Sequence, residues 1–411
     1  MSVLRCRFCD ETLEHTFVDL GVSPLANSYV KPDQLDGMEP FYPLHVRVCA
    51  RCFLVQLPQL ATREEIFEEY AYFSSYSDSW LEHCRTYANM MVDRFGLRED
   101  SRVVELASND GYLLQYFVER QIPVLGIEPA ANVAEVARKC GINTTVAFFG
   151  EKTAQQLAQD GWSADLIAGN NVLAHVPDIN DFVEGIRILL KPAGVVTIEF
   201  PHVMRLMQET QFDTIYHEHF SYLSFTTVER VFTRHGMKLF DVQELPTHGG
   251  SLRIFAAHEG DTSKVQSDAV RELRQREEKA GFLTLAPYLA FNERVAKTKR
   301  RLLQFLIEAK EHGKHVVGYG APAKGNTLLN YCGVRTDFLD YTVDRNPVKQ
   351  GQFLPGVRIP IYAPDAIRQT KPDFVLILPW NIKEEVMHQM AYIREWGGEF
   401  VVPIPEVKDY P

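Results

Sequence analysis

Apolar and polar positions along this chain alternate with two different periods. Short apolar runs suited to buried strands occur at 102–108 (RVVELAS), 123–129 (PVLGIEP), 164–176 (ADLIAGNNVLAHV), 195–203 (VVTIEFPHV) and 252–259 (LRIFAAHE). Amphipathic stretches of helical period follow the first two, at 109–121 (NDGYLLQYFVERQ) and 130–141 (AANVAEVARKCG). Strands and helices alternating at this spacing predict a doubly wound α/β sheet.

The pattern repeats nearer the C-terminus. Two long charged stretches of helical period, 265–280 and 294–313, read as the solvated faces of connecting helices. Strand candidates follow at 315–327, 338–347, 373–380 and 399–407, which predicts a second Rossmann-like domain. Upstream of the first sheet, helical period from 63 to 95 is interrupted at 70–79 (YAYFSSYSDS), where Ser77 or Asp78 offers a helix cap. The first 60 residues carry Pro24, Pro32, Pro40 and Pro43 and read as loop-rich. The expected division is 1–62, 63–262 and 263–411.

Cysteine usage changes the picture of the first segment. Cys6 and Cys9 form one pair with two residues between them, and Cys49 and Cys52 form another. Each pair suits a tight turn that presents two thiolates, and together they complete the closed four-sulfur ligation of one structural zinc. The intervening length only has to form a loop. Two unrelated pairs of free thiols are the alternative, and the repeated spacing speaks against it. Four thiolates leave no position open for a reacting water, so the metal is expected to be scaffolding.

Charge and hydropathy exclude several classes. A net charge of -11 without a basic block argues against a nucleic-acid partner. No apolar run approaches the ~18 residues of a membrane span, and the N-terminus lacks an apolar segment of signal-peptide length, so no membrane partner and a cytoplasmic location are expected.

In a doubly wound sheet, ligands bind beyond the carboxyl ends of the strands. The first strand ends in Glu105, Leu106, Ala107, Ser108, Asn109, Asp110 and Gly111, small and polar residues that let backbone approach a ligand ahead of a helix. A single glycine fits a pyrophosphate cradle poorly. The second strand ends at Glu128, before Pro129, where an acid can accept both ribose hydroxyls of an adenosine. The densest polar cluster is Asp213 to Tyr222, with Tyr216, His217, Glu218 and His219 offering acid–base groups within four residues. A metal on His217 and His219 is disfavoured, because HEH lacks the spacing that puts two ligands on one helical face. In the third region, Val317 to Asn326 (VGYGAPAKGN) combines small residues with Lys324, as phosphate recognition requires.

These motifs together resemble the bacterial S-adenosylmethionine-dependent deoxysugar C-methyltransferases. The matching runs are the two cysteine pairs, ELASNDG, NNVLAHVPD, YHEHFSYLS, HGGSLR, VVGYGAPAKGNT and PWN at 379–381, spread over essentially the full length. The resemblance implies a zinc-binding lobe, a central class I methyltransferase domain of Rossmann-like fold and a C-terminal α/β domain. It implies an S-adenosylmethionine site of Glu105, Ser108, Asn109, Asp110, Glu128, Pro129, Asn170 and Asn171, with Phe148 and Phe149 flanking the adenine.

It further implies that carbon-3 of a nucleotide-linked 4-keto-6-deoxyhexose, dTDP- or GDP-bound, is deprotonated and the enolate methylated. His219 is then the base, tuned by Glu218, with Tyr216 and His175 stabilising the enolate oxygen and Tyr70 closing over the site. Tyr72, Tyr222, His248, Gly320, Lys324, Asn326, Asp344 and Asn381 would hold the substrate. Methylation of oxygen or nitrogen on the same fold, and a non-catalytic zinc-ribbon binding protein, are the alternatives. The oligomeric state, a monomer included, is open.

Overall fold

A computed structural model describes residues 3–60, 75 and 78–411. Two compact units are assembled from discontinuous segments. One comprises Met1–Leu13, Cys49–His202 and Phe220–Thr284, the other Glu14–Val48, Val203–His219 and Leu285–Pro411. Both cysteine pairs therefore fold with the central strands, whereas the stretch between them folds with the C-terminal residues.

The first unit is built on a seven-stranded sheet. Its strands are β1 (Val103–Leu106), β2 (Val124–Ile127), β3 (Thr144–Thr145), β4 (Ala164–Asn170), β5 (Leu190–Pro201), β6 (Met237–Leu245) and β7 (Ser251–His258), in the order β3-β2-β1-β4-β5-β7-β6. The first five are parallel, and β7 runs antiparallel between β5 and β6. Strands covered on both faces read as near-continuous apolar runs, and every residue of β1 and β2 is buried, with Glu105 the one charged member. Among the described residues its longer helices are α1 (Asp78–Phe95), α2 (Ala131–Lys139), α3 (Glu151–Gln159), α4 (Ile179–Leu189), α5 (Phe225–Arg234) and α6 (Asp268–Lys279). Asp178 caps α4 by accepting the amides of Asn180 and Asp181, and Ser224 caps α5 by accepting that of Thr227.

Three expectations for this unit change. The helix expected at 109–121 shrinks to Gln115–Val118, because Ala107, Asn109 and Gly111 adopt left-handed φ of 57°, 48° and 83° and commit that stretch to a turn. The strand expected at 164–176 stops at Asn170, and a 3-10 turn follows at Leu173–His175. Strand β6 has no counterpart in the sequence reading, because its partly alternating burial leaves no continuous apolar run.

In the second unit, His15–Ser23 and Tyr42–Val48 pair antiparallel where loop was expected. Pro24, Pro32 and Pro40 fall between these strands, and Pro43 lies at the start of the second. The second sheet comprises β8 (Val316–Tyr319), β9 (Thr342–Val343), β10 (Ile361–Tyr362), β11 (Phe374–Ile377), β12 (Glu399–Val402) and β13 (Lys408–Tyr410). Its order is β10-β9-β8-β11-β12-β13, parallel except for β13. The accompanying helices include α7 (Phe291–Glu311) and α8 (Ala323–Cys332). Each sheet changes winding direction beside its first strand, which places a ligand crevice at the carboxyl ends of β1 and of β8. Among the described residues no helix is long and apolar enough to cross a membrane.

Candidate active site and metal centre

The four cysteine sulfurs lie within 4.8 Å of one another. Cys6 and Cys52 are 3.5 Å apart, as are Cys9 and Cys49. A tetrahedral zinc with Zn–S bonds of about 2.3 Å separates its sulfurs by roughly 3.8 Å, so the cluster fits that ion. Left-handed Asp10 and Phe53 close the two turns, their amides donating to the carbonyls of Cys6 and Cys49. Gln56 ties the turns together: its Nε2 donates to Cys6 Sγ at 3.2 Å and its Oε1 accepts the Arg7 amide at 3.0 Å. The cysteines belong to the same apolar core as β1, β4 and α5.

The β1 turn forms a cradle. A Cβ on Gly126 would lie 2.3 Å from Ser108 Oγ, so only glycine lets the two strand ends meet. Glu128 binds this turn through Oε2, which accepts the Asn109 amide, while Oε1 accepts the Ala130 amide just beyond β2, each at 2.9 Å. Each oxygen keeps a second lone pair for a ligand hydroxyl. Burial raises the Glu128 pKa, against those two amides. Glu105 is fully buried beside the Tyr112 hydroxyl, and burial likewise pushes its carboxyl well above the ordinary range. Asp110 accepts the Ser75 amide on Oδ2, and its buried Oδ1 has no protein partner. A turn of left-handed backbone, an unsatisfied carboxylate oxygen and a strand-end acid suit the amino acid and ribose of S-adenosylmethionine.

Other expected cofactor residues take varied places. Asn170 is buried at the end of β4, and Pro129 follows Glu128 at the end of β2. Phe149 packs edge-on against Phe182 at 5.4 Å and so serves the core, while Phe148 is half-buried beside it. Asn171, left-handed at φ 54°, contacts His248 Nε2 through Nδ2 at 3.0 Å. His248, expected at the substrate, thus stands beside Asn171, which was expected at the cofactor. Its ring also meets Trp80 at 5.5 Å, and Trp80 stacks on His83 at 4.9 Å. His83 in turn contacts Glu199 at 3.0 Å, and Arg253 Nε donates to the same carboxylate at 2.7 Å. Burial opposes ionisation of Glu199, but His83 and Arg253 hold its pKa below the usual carboxylate value. Sequence reasoning missed Trp80, His83 and Glu199. Arg253, at the end of HGGSLR, was the one signal available. His175 is half-buried on the turn after β4, and Tyr222 is buried on the strand Ser221–Tyr222, which pairs with Val55–Gln56.

The remaining expected residues belong to the second unit, where Tyr216, Glu218 and His219 follow a turn at Phe212–Thr214. The His219 Nδ1–H donates to the Thr214 carbonyl at 2.8 Å, which leaves the lone pair of the neutral ring on Nε2. The Tyr216 ring lies over the imidazole, centroids 4.1 Å apart. Glu218 accepts from Asn27 Nδ2 at 2.6 Å, and burial pushes its pKa up to about 7 against that bond. His217 points elsewhere, its Nε2 donating to the Pro43 carbonyl at 3.2 Å, and burial lowers its pKa.

Helix α8 anchors this segment, with Thr327 Oγ1 donating to the Ile215 carbonyl at 2.9 Å. The loop before α8 is held internally. Gly320 has φ 88°, and a Cβ there would meet Pro379 Cδ at 2.6 Å. Asp344 accepts the Ala321 amide at 2.7 Å, Lys324 Nζ donates to Asn381 at 2.7 Å, and Asn326 Nδ2 donates to the Ala26 carbonyl at 2.6 Å. Of these, Asn326 keeps a buried Oδ1 without a protein partner. The structure therefore brings Lys324, Asn326 and Asn381 to the same unit as Tyr216, Glu218 and His219, while His175 and Tyr222 belong to the other. Tyr70 and Tyr72 lie outside the described residues.

Three family models match successive parts of the chain: a zinc binding domain at 6–67, a methyltransferase domain at 80–242 and a C-methyltransferase C-terminal domain at 246–405. C-methyltransferase NovU of Streptomyces niveus is 35% identical over 401 residues, covering 98% of this chain and 95% of that protein. The chain belongs to this C-methyltransferase family. The methyltransferase is S-adenosylmethionine-dependent, and its four-cysteine cluster is a zinc site. Over 101 residues it is also 30% identical to a ubiquinone biosynthesis O-methyltransferase of Chelativorans sp., 24% of this chain and 40% of that one. The PH0226 protein of Pyrococcus horikoshii superposes on 48% of the chain and all of its own at 14% identity and a TM-score of 0.39, too slight a likeness to carry an argument.

Proposed function

We propose that this methyltransferase acts on carbon-3 of a dTDP- or GDP-linked 4-keto-6-deoxyhexose. The observation that carries the reading is the His219 Nδ1–Thr214 hydrogen bond, which presents Nε2 as a base. A C-methyltransferase has to make a carbon nucleophilic, and a carbon next to a carbonyl is the type that an imidazole can deprotonate. His219 Nε2 takes the carbon-3 proton, and its electron pair moves onto the neighbouring carbonyl as an enolate. S-adenosylmethionine supplies an electrophilic methyl on positively charged sulfur. The enolate carbon forms the new C–C bond while the S–CH3 pair returns to sulfur, so charge is conserved.

On this reading Tyr216 and His175 stabilise the enolate oxygen, where a fixed donor contributes most. Glu218 steadies the imidazolium that forms on His219. Glu105, Asp110 and Glu128 hold the methionine and ribose ends of the cofactor, and Lys324, Asn326 and Asn381 serve the nucleotide phosphates. A panel of dTDP- and GDP-linked 4-keto-6-deoxy sugars, incubated with carbon-13-methyl donor, tests this. A methyl resonance coupled to carbon-3 is expected, and a methyl on oxygen or nitrogen would overturn it.

A further inference from the structure

We infer that Asp213 and Trp380 are positioning residues for His219, holding the turn whose Thr214 carbonyl orients the imidazole. This rests on the reading of His219 as the base.

Asp213 is fully buried, and Trp380 is 8% exposed. The indole Nε1–H donates to Asp213 Oδ2 at 2.6 Å, joining the loop after β11 to the Phe212–Thr214 turn. The carboxylate also faces the backbone amides of Asp213 and Thr214, and burial pushes its pKa up to about 6 despite nearby Lys324. Lys324 lies over the Trp380 ring, 4.4 Å from its centroid.

The neighbouring peptides are pinned as well. Thr214 Oγ1 donates to the Gln211 carbonyl at 2.7 Å, and Thr327 of α8 holds the Ile215 carbonyl. The Thr214 carbonyl is thereby fixed from both flanks, and it is the acceptor for His219 Nδ1–H.

A buried carboxylate–indole pair is an expensive way to hold a turn, since an apolar pair of similar volume would often be as stable. Its distinctive effect is on direction. An unanchored imidazole populates both neutral tautomers, and only the one protonated on Nδ1 offers Nε2 as a base.

The test uses the full-length, zinc-loaded enzyme carrying nitrogen-15-labelled histidine. In the parent, the His219 signals should report protonation on Nδ1. In Trp380→Phe, which removes the indole donor and keeps an aromatic ring in its place, they should move toward a mixture of tautomers. Proton exchange at the substrate carbon should slow about 10- to 100-fold with KM changed less than about threefold. Asp213→Asn should show the same signature. Folded variants that keep the parental tautomer and exchange rate overturn the inference. Should Asp213→Asn fail to fold, Trp380→Phe decides alone. Exchange that survives His219→Asn would instead sink the base assignment, and the tautomer signals would still judge the positioning.

Discussion

At the residue scale, the segment from Asp213 to His219 owes its chemistry to burial. Two of its acids, Asp213 and Glu218, lie out of water, and burial makes both bind protons more tightly than ordinary carboxylates despite their hydrogen-bond donors. For Glu218 the consequence for stability has a definite sign. Its folded pKa of about 7 lies above the ordinary 4.5, so between those values the folded chain keeps a proton that the unfolded chain has released. The stabilising contribution is complete below about 4.5 and is lost as pH rises through about 7. Glu218→Gln never ionises. Its melting temperature should match the parent near pH 4.5 and exceed it at pH 8, by the equivalent of about 3 kcal/mol at most. Equal melting temperatures across that range, measured by scanning calorimetry, would contradict the buried placement. Tyr216, Glu218 and His219 were legible as a cluster because acid–base side chains crowd four positions. Asn27, which bonds Glu218, and Trp380, which bonds Asp213, were not legible as their partners, because residues 191 and 167 positions apart leave no local period or spacing.

At the element scale, the zinc turns are part of the central core rather than an appendage. Cys6, Cys49 and Cys52 are buried in one apolar cluster with Leu106 of β1, Ile198 of β5 and Phe225 of α5. Removing the metal would leave four thiols crowded within 4.8 Å, with repulsion between thiolates and no ion to offset it. Chelation, or Cys49→Ser, should lower the melting temperature and weaken S-adenosylmethionine binding together. An apo-protein that melts and binds the cofactor as the zinc form does would refute that coupling. Spacing alone revealed these ligands, since two cysteine pairs carry their geometry in sequence. The parallel strands were legible for a related reason: burial on both faces demands continuous apolar residues. The hairpin of 15–48 and strand β6 hid because half-buried strands dilute that signal. The helix after β1 was overestimated because apolar residues at 112–118 mask the left-handed turn required just before them.

At the scale of the whole molecule, chain order and compactness diverge. Residues between the cysteine pairs fold with the C-terminal sheet, and residues 203–219 join them from the middle of the chain. The expected cofactor residues belong to the unit of the seven-stranded sheet, and the expected base belongs to the unit of the six-stranded sheet. Family resemblance anticipated a zinc-binding lobe, a methyltransferase domain and a C-terminal domain, and family models of those three kinds match the chain in that order. It could not anticipate how they interleave, because segment exchange is a tertiary choice that local propensity does not encode. The proposed chemistry stands on whether the enzyme breaks a carbon–hydrogen bond next to a carbonyl. The most direct measurement is deuterium uptake at carbon-3 of a dTDP-linked 4-keto-6-deoxyhexose in heavy water, comparing the parent with His219→Asn. Uptake by the parent, reduced at least about 100-fold in a variant that still binds S-adenosylmethionine, is the expected result. Methyl transfer to the same sugar without deuterium uptake in either protein, with the methyl found on oxygen, would contradict it.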